Sequence, residues 1–209
     1  MIDQSTPIDQ VEFAGIDFES AGAGSGKTDM PIQIGIAVLN KSRTIFPNSL
    51  HQFIAPTSPI VWRAGDAVHG LTAADLEGAP SMNDLWPTVR GLLKNRVCVA
   101  HGAGTERKFL RAYPMHGFGP WLDTLSLARK TLPDLEDHRL GTCAGALGLV
   151  DEIGDFCETD KQQRLGWHDA LYDTVASLLI LREILAQLEL GSLPLGSLED
   201  LGVLSKPRS

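Results

Sequence analysis

The sequence has few cysteines, few aromatic residues and a deficit of positive charge, and each shortage excludes a class of protein. Its three cysteines contain no C-x-x-C pair, so neither a disulfide framework nor a zinc knuckle is expected. Aromatic residues make up 6% of the chain, which argues against a surface of stacked aromatic side chains for single strands. The formal net charge of −8 excludes a broad basic face that binds duplex nucleic acid. Any nucleic-acid contact would therefore have to be local or mediated by bound cations.

The sequence also lacks a segment that could span a membrane or direct secretion. The longest apolar stretch, 170–190, contains the charged residues Asp173, Arg182, Glu183 and Glu189. The first ten residues hold no basic stretch followed by an apolar core, so a secretory signal is not expected. Unpaired cysteines agree with a reducing compartment. Together these features predict a cytoplasmic protein with no membrane partner.

What the sequence does contain is the composition of an ordinary globular domain. Hydrophobic residues make up 43% of its 209 residues and charged residues 21%. Short apolar runs predict strands over 11–18, 31–39, 43–54, 97–100 and 121–123. Helical spacing predicts helices within 64–93 and over 105–113, 125–131, 140–149 and 169–190.

The order of these elements predicts the fold class. Strands come first, and later strands alternate with helices. We therefore expect an α/β fold, with a mixed sheet that begins as an antiparallel meander, continues with parallel strands and is flanked by helices. We place a single domain in residues 1–190 and expect residues 191–209 to form a weakly structured C-terminal tail.

Two acids lie two residues apart at the end of the first predicted strand. The alternation of a strand places Asp17 and Glu19 on one face of the sheet. Two carboxylates side by side at the end of a buried strand repel each other unless a cation lies between them. Taken alone, this pair is equally consistent with a cation site and with two solvated acids.

A second group of polar residues surrounds the start of the long predicted helix, in the sequence WHDALYD. His168 and Asp173 are five residues apart, and positions five apart on a helix do not share a face. We therefore expect His168 in a loop and Asp173 on the helix, pointing inward. The alternative for Asp173 is a favourable charge at the helix N-terminus, although Asp169 fits the N-cap position better.

Together these stretches resemble the DEDDh (DnaQ-like) 3′–5′ exonuclease family of the ribonuclease H-like superfamily. The first family motif, D-x-E, stands here as IDFESAG. The second, V-A-H-N-A-x-F-D, corresponds to VAHGAGTER at 99–107, and the third, H-x-x-x-x-D, to HDALYD. The resemblance runs from about Phe13 to Leu185, nearly the whole chain.

The resemblance implies a metal-dependent exonuclease that hydrolyses phosphodiester bonds at nucleic-acid 3′ ends and releases nucleoside monophosphates. It implies two divalent cations, Mg²⁺ or Mn²⁺, with Asp17, Glu19 and Asp173 as catalytic metal ligands. It assigns His168 as the general base, a side chain suited to proton transfer near neutral pH. Asp169 stands where the tyrosine subclass has its tyrosine, which places the chain in the histidine subclass. DNA and RNA substrates, a homodimer and a polymerase partner are all left open.

The second motif departs from the family pattern. Gly102 stands where asparagine is usual, Thr105 where phenylalanine is usual, and Glu106 where the third acid should be aspartate. Either Glu106 is the fourth metal ligand, with one extra methylene, or the site is weakened. The alternative function is therefore a weakened or inactive member that binds nucleic-acid ends. Gln33, where the family often has glutamate, is a smaller departure.

The remaining functional assignments also come from the resemblance. It assigns substrate binding to Phe18, Ser20, His69 and His101. A turn role for His69 and a structural hydrogen-bonding role for His101 are the simpler interpretations. The other three histidines match no motif, and we expect them to be exposed: His51, His116 and His138.

Residues 21–28, AGAGSGKT, satisfy a permissive P-loop pattern. A P-loop needs a following helix whose N-terminus faces the anion, whereas a strand-like segment follows here. We therefore expect a loop beside the site, with a contact between Lys27 and a substrate phosphate as a hypothesis.

Overall fold

A computed structural model describes residues 2–22, 29–46, 49–63, 68–158 and 165–205. The loop predicted around Lys27 lies outside the described residues. Six strands form one sheet: β1 (Phe13–Ala21), β2 (Met30–Leu39), β3 (Leu50–Phe53), β4 (Val97–Ala100), β5 (Trp121–Asp123) and β6 (Leu204–Ser205). Seven α-helices flank it: α1 (Met82–Leu93), α2 (Gly104–Leu110), α3 (Thr124–Thr131), α4 (Leu140–Ala146), α5 (Val150–Glu158), α6 (Ala170–Gln187) and α7 (Ser197–Asp200).

The sheet has the strand order β3-β2-β1-β4-β5-β6. The first three strands pair antiparallel, β1 with β4 and β4 with β5 pair parallel, and β6 closes the edge antiparallel to β5. The predicted mixed sheet, a meander followed by parallel strands, is confirmed. Because β1, β4 and β5 run in the same direction, their carboxyl ends meet at one edge of the sheet.

The two faces of the sheet carry two separate cores. Phe13 on β1 joins the core that α6 covers, whereas Ile16 and Phe18 join the core beneath α1 and α2. Helix α6 lies very close to β1, since a Cβ added at Gly15 would be 2.8 Å from Cγ of Leu178. The odd-numbered residues of β1 therefore face α6, and the even-numbered residues face away from it.

Several predicted elements have different limits in the structure. The third strand is only four residues long, because the chain turns at Arg43, which adopts a left-handed φ of 61°. Helix α1 begins only after Ser81, which forms a capping box with Asp84. Helix α5 was not predicted. Its polar sequence carries a narrow apolar stripe, with Ile153 and Cys157 buried one turn apart.

The segment after Gly191 is better ordered than a weakly structured tail. It contains α7 and β6, and Leu195 and Leu198 are both fully buried. A bridge between Pro7 and Pro194 ties it to the start of the chain. Burial of these leucines supplies the driving force that the weak local pattern does not show.

In the described part of the chain, every helix is too short or too polar to cross a membrane.

Candidate active site

Strand β1 presents two carboxylates to the N-terminal part of α6. Asp17 and Glu19 lie on the same face as Gly15, which packs against Leu178 of that helix. A register shift follows at once, between Glu19 and Ser20. Both acids thus stand near the carboxyl end of β1, as the alternation of the strand predicts.

The start of α6 is pressed against β2, and this contact brings the third acid to the site. A Cβ added at Gly35 would lie 2.2 Å from the carbonyl oxygen of Ala170. One turn later the hydroxyl of Thr174 donates a hydrogen bond to the Gly35 carbonyl at 3.0 Å. Asp173 lies between these contacts, and its charge raises the pKa of Glu19.

The fourth carboxylate comes from α2, which follows β4. Glu106 is 5% exposed, and its Oε2 has no hydrogen-bond partner among the residues that the structure describes. Its charge raises the pKa of Asp17, so the two carboxylates belong to one electrostatic site. The structure therefore brings Glu106 together with the acids of β1, as expected of the position where the family has its third acid.

All four acids have pKa values far above the ordinary range. Burial, and then repulsion by Glu106, raises the pKa of Asp17 to about 8. Burial and then the charges of Asp17 and Asp173 raise the pKa of Glu19 to about 8. Burial and then Asp17 raise the pKa of Asp173 to about 8, and burial raises that of Glu106 to about 7. All four groups can be ionised together near neutral pH only if positive charge lies beside them.

His168 lies over this cluster from the loop before α6. It is exposed, and its φ of 66° places it in the left-handed region. One of its ring nitrogens and one carboxylate oxygen each from Glu19 and Asp173 lie within 4.8 Å of one another. Oδ1 of Asp173, like Oε2 of Glu106, is buried and has no hydrogen-bond partner within the described ranges. Oxygen donors without partners fit a hard divalent cation.

Asp169, next to His168, has a different environment from the four clustered acids. Its Oδ1 accepts hydrogen bonds from the amides of Leu171 and Tyr172, so it is the N-cap of α6. Burial raises the pKa of Asp169, but hydrogen bonds from His51, Tyr172 and Gln33 outweigh that effect and hold the pKa below its usual value. Asp169 is therefore an ionised cap, as the sequence predicts.

Two of the four residues assigned to substrate binding are engaged inside the fold. Phe18 is 6% exposed and packs edge-to-face on Phe109, with the ring centroids 5.5 Å apart, on the opposite face from Asp17. Both ring nitrogens of His101 are hydrogen-bonded, to Oγ1 of Thr124 at 3.1 Å and to the His138 carbonyl at 2.7 Å. Burial also lowers the pKa of His101. Both side chains thus make contacts within the fold, and a substrate contact for either one stays a prediction.

The other two residues assigned to substrate binding are placed as follows. Nδ1 of His69 accepts a hydrogen bond from the amide of Leu71 at 3.1 Å, which is the contact of a turn residue. Ser20 is half-buried beside Glu19 at the register shift of β1. A substrate contact for either residue stays a prediction.

His51 is the residue of this region that sequence reasoning missed. Expected to be exposed, it is instead half-buried, and its Nε2 lies 2.9 Å from Oδ2 of Asp169. Spacing could not reveal this pair, because 118 residues separate the two positions. The only signal is the register of β2 and β3, which places His51 opposite Gly35, the residue beneath the start of α6.

The fold and the site define a class of protein: an α/β domain built on a mixed sheet, with carboxylates and a histidine gathered at one sheet edge. The sequence profile of the family described as Exonuclease matches residues 14–181. The chain belongs to this family.

Curated relatives share part of their length with this chain. It is 29% identical over 147 residues to a DNA polymerase III PolC-type protein of Thermotoga petrophila, covering 68% of this chain and 10% of that protein. It is 28% identical over 176 residues to a DNA polymerase III subunit epsilon-like protein of Rhodobacter capsulatus, covering 82% of this chain and 23% of that protein. The chain therefore spans only a small part of the relatives that it matches.

Solved structures share the fold at low sequence identity. The nuclease domain of 3′hExo, a DEDDh family member bound to rAMP, has a TM-score of 0.67 at 15% identity, covering 94% of this chain and 97% of that domain. Exonuclease I of E. coli, in complex with a 5cy-dA13 oligonucleotide, has a TM-score of 0.62 at 13% identity, covering 85% of this chain and 41% of that protein.

Proposed function

We propose that this protein is a metal-dependent 3′–5′ exonuclease that releases nucleoside monophosphates from the 3′ ends of DNA or RNA. One observation carries the proposal: four carboxylates from β1, α2 and α6, one of them buried and three half-buried, form one electrostatic site beside His168. A cluster of this kind without compensating positive charge would be a cost with no structural return. The names of several neighbours, among them a 3′-exonuclease that recognises the 3′ end of histone mRNA, support the polarity.

We infer that Asp17, Glu19, Glu106 and Asp173 hold two divalent cations, Mg²⁺ or Mn²⁺. The partnerless Oε2 of Glu106 and Oδ1 of Asp173 supply free donor atoms. When bound, the pair would supply positive charge to the attacking and leaving oxygens of the phosphodiester.

In this proposal, His168 is the general base that accepts the proton removed from the attacking water. Its exposed ring lies next to Glu19 and Asp173, so an attacking water at the phosphodiester would meet the imidazole nitrogen. The residue is exposed, so solvent can take the proton away after each turnover. A positioned general base of this kind contributes about 10²- to 10⁴-fold to the rate.

A polymerase partner belongs to the same proposal. The relatives are named for DNA polymerase III, and this chain corresponds to 10% or 23% of their lengths. In this proposal, the domain would trim 3′ ends for a polymerase. Co-purification with a polymerase subunit would be the observation that supports this part, whereas activity alone would not.

The experiment that tests the proposed function is an end-labelling assay. Oligonucleotides of one sequence, as single-stranded DNA, duplex DNA and RNA, carry the label at either the 5′ or the 3′ end. Wild-type protein with Mg²⁺ or Mn²⁺ should give a descending ladder from the 5′ label and a mononucleotide at once from the 3′ label. Asp17→Asn should give neither product. Full activity in excess EDTA, or release from the 5′ end, would contradict the proposal.

The same assay separates an enzyme from a weakened member that only binds ends. Fluorescence anisotropy of the labelled oligonucleotides measures binding directly. An enzyme should bind and release nucleotides, whereas a weakened member should bind without release at any concentration of Mg²⁺ or Mn²⁺.

A further inference from the structure

Three elements meet through hydrogen bonds at the start of α6. The three side chains belong to Gln33 on β2, His51 on β3 and Asp169, the N-cap residue of α6. Nε2 of Gln33 and Nε2 of His51 each lie 2.9 Å from Oδ2 of Asp169. Gln33 is 2% exposed, so it is a core residue and not part of a solvated surface.

The direction of these hydrogen bonds follows from one further contact. The amide of Ala170 donates to Oε1 of Gln33 at 3.0 Å, which fixes the orientation of the Gln33 side chain. Its amino group therefore faces Asp169 and donates to Oδ2. An ionised carboxylate only accepts, so Nε2 of His51 donates to the same oxygen when it carries the proton; this Nε2 also lies 2.9 Å from Nε2 of Gln33, from which it accepts in the other tautomer. Oδ1 of Asp169 accepts hydrogen bonds from the amides of Leu171 and Tyr172, so both carboxylate oxygens have hydrogen-bond partners.

This network constrains the residue next to it. His168 has a left-handed φ of 66°, a conformation that costs energy in a residue with a Cβ and persists only where neighbours enforce it. The amide of Asp169 donates to the Gly166 carbonyl at 3.1 Å, and its side chain is held on the other side by β2 and β3. The backbone after His168 is thus anchored to the sheet through two side chains far away in sequence.

We propose that Gln33 and His51 are positioning residues for His168. They hold the Asp169 carboxylate, and through it they hold the loop and the first turn of α6 at the carboxylate cluster. The inference rests on the proposed function for its effect on turnover. A cap that merely stabilised α6 would contribute to the stability of the protein but would leave the rate of the folded protein unchanged.

The test compares two substitutions of His51 with a control on the same helix. His51→Leu removes the donor, whereas His51→Gln keeps an N–H group of similar reach. Arg182→Gln breaks the ion pair between Arg182 and Glu152 near the other end of α6, where the two N–O distances are 2.6 Å. For each variant, kcat and KM are measured on a labelled oligonucleotide, and the thermal midpoint is measured by circular dichroism.

His51→Leu should lower kcat by about 10- to 100-fold, the usual cost of losing a partner that orients a functional group, with KM within about twofold. His51→Gln should recover most of this loss. Arg182→Gln should keep the wild-type kcat even if its thermal midpoint falls as far as that of His51→Leu. A wild-type kcat in folded His51→Leu, or losses that follow only the thermal midpoint in all three variants, would overturn the proposal.

Hydrogen exchange tests the same inference without turnover. In His51→Leu the amides of residues 169–173 should exchange faster than in wild type, and in Arg182→Gln they should not. If the wild-type protein releases no nucleotides but this difference is found, the proposed function fails, whereas the anchoring of the His168 loop and the first turn of α6 by His51 stands. Unchanged exchange at these amides in His51→Leu would refute the inference whatever the nuclease assay shows.

Discussion

Gly35 in β2 lies directly beneath the carbonyl group of Ala170, so close that a Cβ on Gly35 would be 2.2 Å from the Ala170 oxygen. The same glycine accepts a hydrogen bond from Thr174 through its own carbonyl. The backbone of β2 contacts the backbone of α6 at this point, so no change of side-chain rotamer can alter the separation between them. This contact therefore sets the height of Asp173 above the sheet, and with it the distance between the acids of α6 and those of β1.

Gly35→Ala should move the start of α6 and disable the site. Overpacking of this kind costs about 1–3 kcal/mol of stability, and a misplacement of about 1 Å can cost about 10²-fold in rate. Gly91→Ala is the matched control, because a Cβ there meets nothing within 4 Å and a helical alanine should stabilise by about 0.5–1 kcal/mol. Nuclease rates and thermal midpoints of both variants decide the matter. A wild-type nuclease rate and thermal midpoint in Gly35→Ala would refute this prediction.

The metal-free protein should lose stability as the pH rises. The folded pKa values are about 8 for Asp17, Glu19 and Asp173 and about 7 for Glu106, above the ordinary values near 4. The folded state thus binds more protons than the unfolded state in this window. Its stabilisation is complete below about pH 4 and is lost as the pH rises to about 8. Thermal midpoints in EDTA should fall between about pH 5 and about pH 8.5.

Two comparisons make that pH prediction specific to the cluster. Asp17→Asn should flatten the slope, because one of the titrating groups is gone. Asp75→Asn should leave the slope unchanged, because hydrogen bonds from Thr72 hold the pKa of Asp75 below its usual value, outside the window. Added Mn²⁺ should raise the midpoint more at the high-pH end, where the ligands are deprotonated. A flat profile for the wild type in EDTA would contradict the prediction.

Much of this site could be predicted from the sequence, because its main parts are local patterns. Strand alternation places Asp17 and Glu19 on one face, and the structure has them there. Helix geometry separates His168, in the loop, from Asp173, on the helix. The resemblance to the family's second motif pointed to Glu106, although the residue type departs from the family pattern, and its charge raises the pKa of Asp17.

The rest could not be predicted, because it depends on contacts between distant segments. The His51–Asp169 pair requires the register of β3 on β2 and the seating of α6 on Gly35. Phe18 lies between Asp17 and Glu19 in sequence, but strand alternation places its side chain on the opposite face of the sheet, in the core beneath α1 and α2. The polar α5 and the segment that contains Leu195 and Leu198 gain their order from burial, which local periodicity does not report.

His168→Ala should separate a general base from a metal ligand. His168 lies close enough to Glu19 and Asp173 to serve as either. As the base, its loss should lower kcat by about 10²- to 10⁴-fold, with the metal concentration for half-maximal activity unchanged. His116→Ala, at a histidine bonded to the Tyr113 carbonyl, is the matched control and should keep the wild-type rate. An unchanged kcat with a raised metal requirement would instead make His168 a ligand.

Glu106 is the residue on which this chain and its family disagree, and it gives the sharpest test of the site. Its buried Oε2 lacks a hydrogen-bond partner in the described parts of the chain, and its charge acts on Asp17. An acid that only favoured the start of α2 would contribute about 0.3–1 kcal/mol and would have no reason to be buried without a partner. We therefore expect a ligand, with a reach one methylene longer than usual.

Glu106→Gln should lower activity by at least about 100-fold, since losing even a partner that only orients a ligand costs about 10- to 100-fold. Glu106→Asp should keep a substantial part, because the carboxylate remains. Mg²⁺ demands near-ideal octahedral geometry at about 2.0–2.1 Å, so a ligand of unusual length should favour Mn²⁺. Turnover against the concentration of each metal measures this for all three proteins. In EDTA near pH 8, Glu106→Gln should be at least as stable as wild type, because a buried charge is gone, and its inactivity then cannot come from unfolding. If Glu106→Gln matches wild type in rate and metal requirement, Glu106 is only an acid at the start of a helix, and three carboxylates do the work.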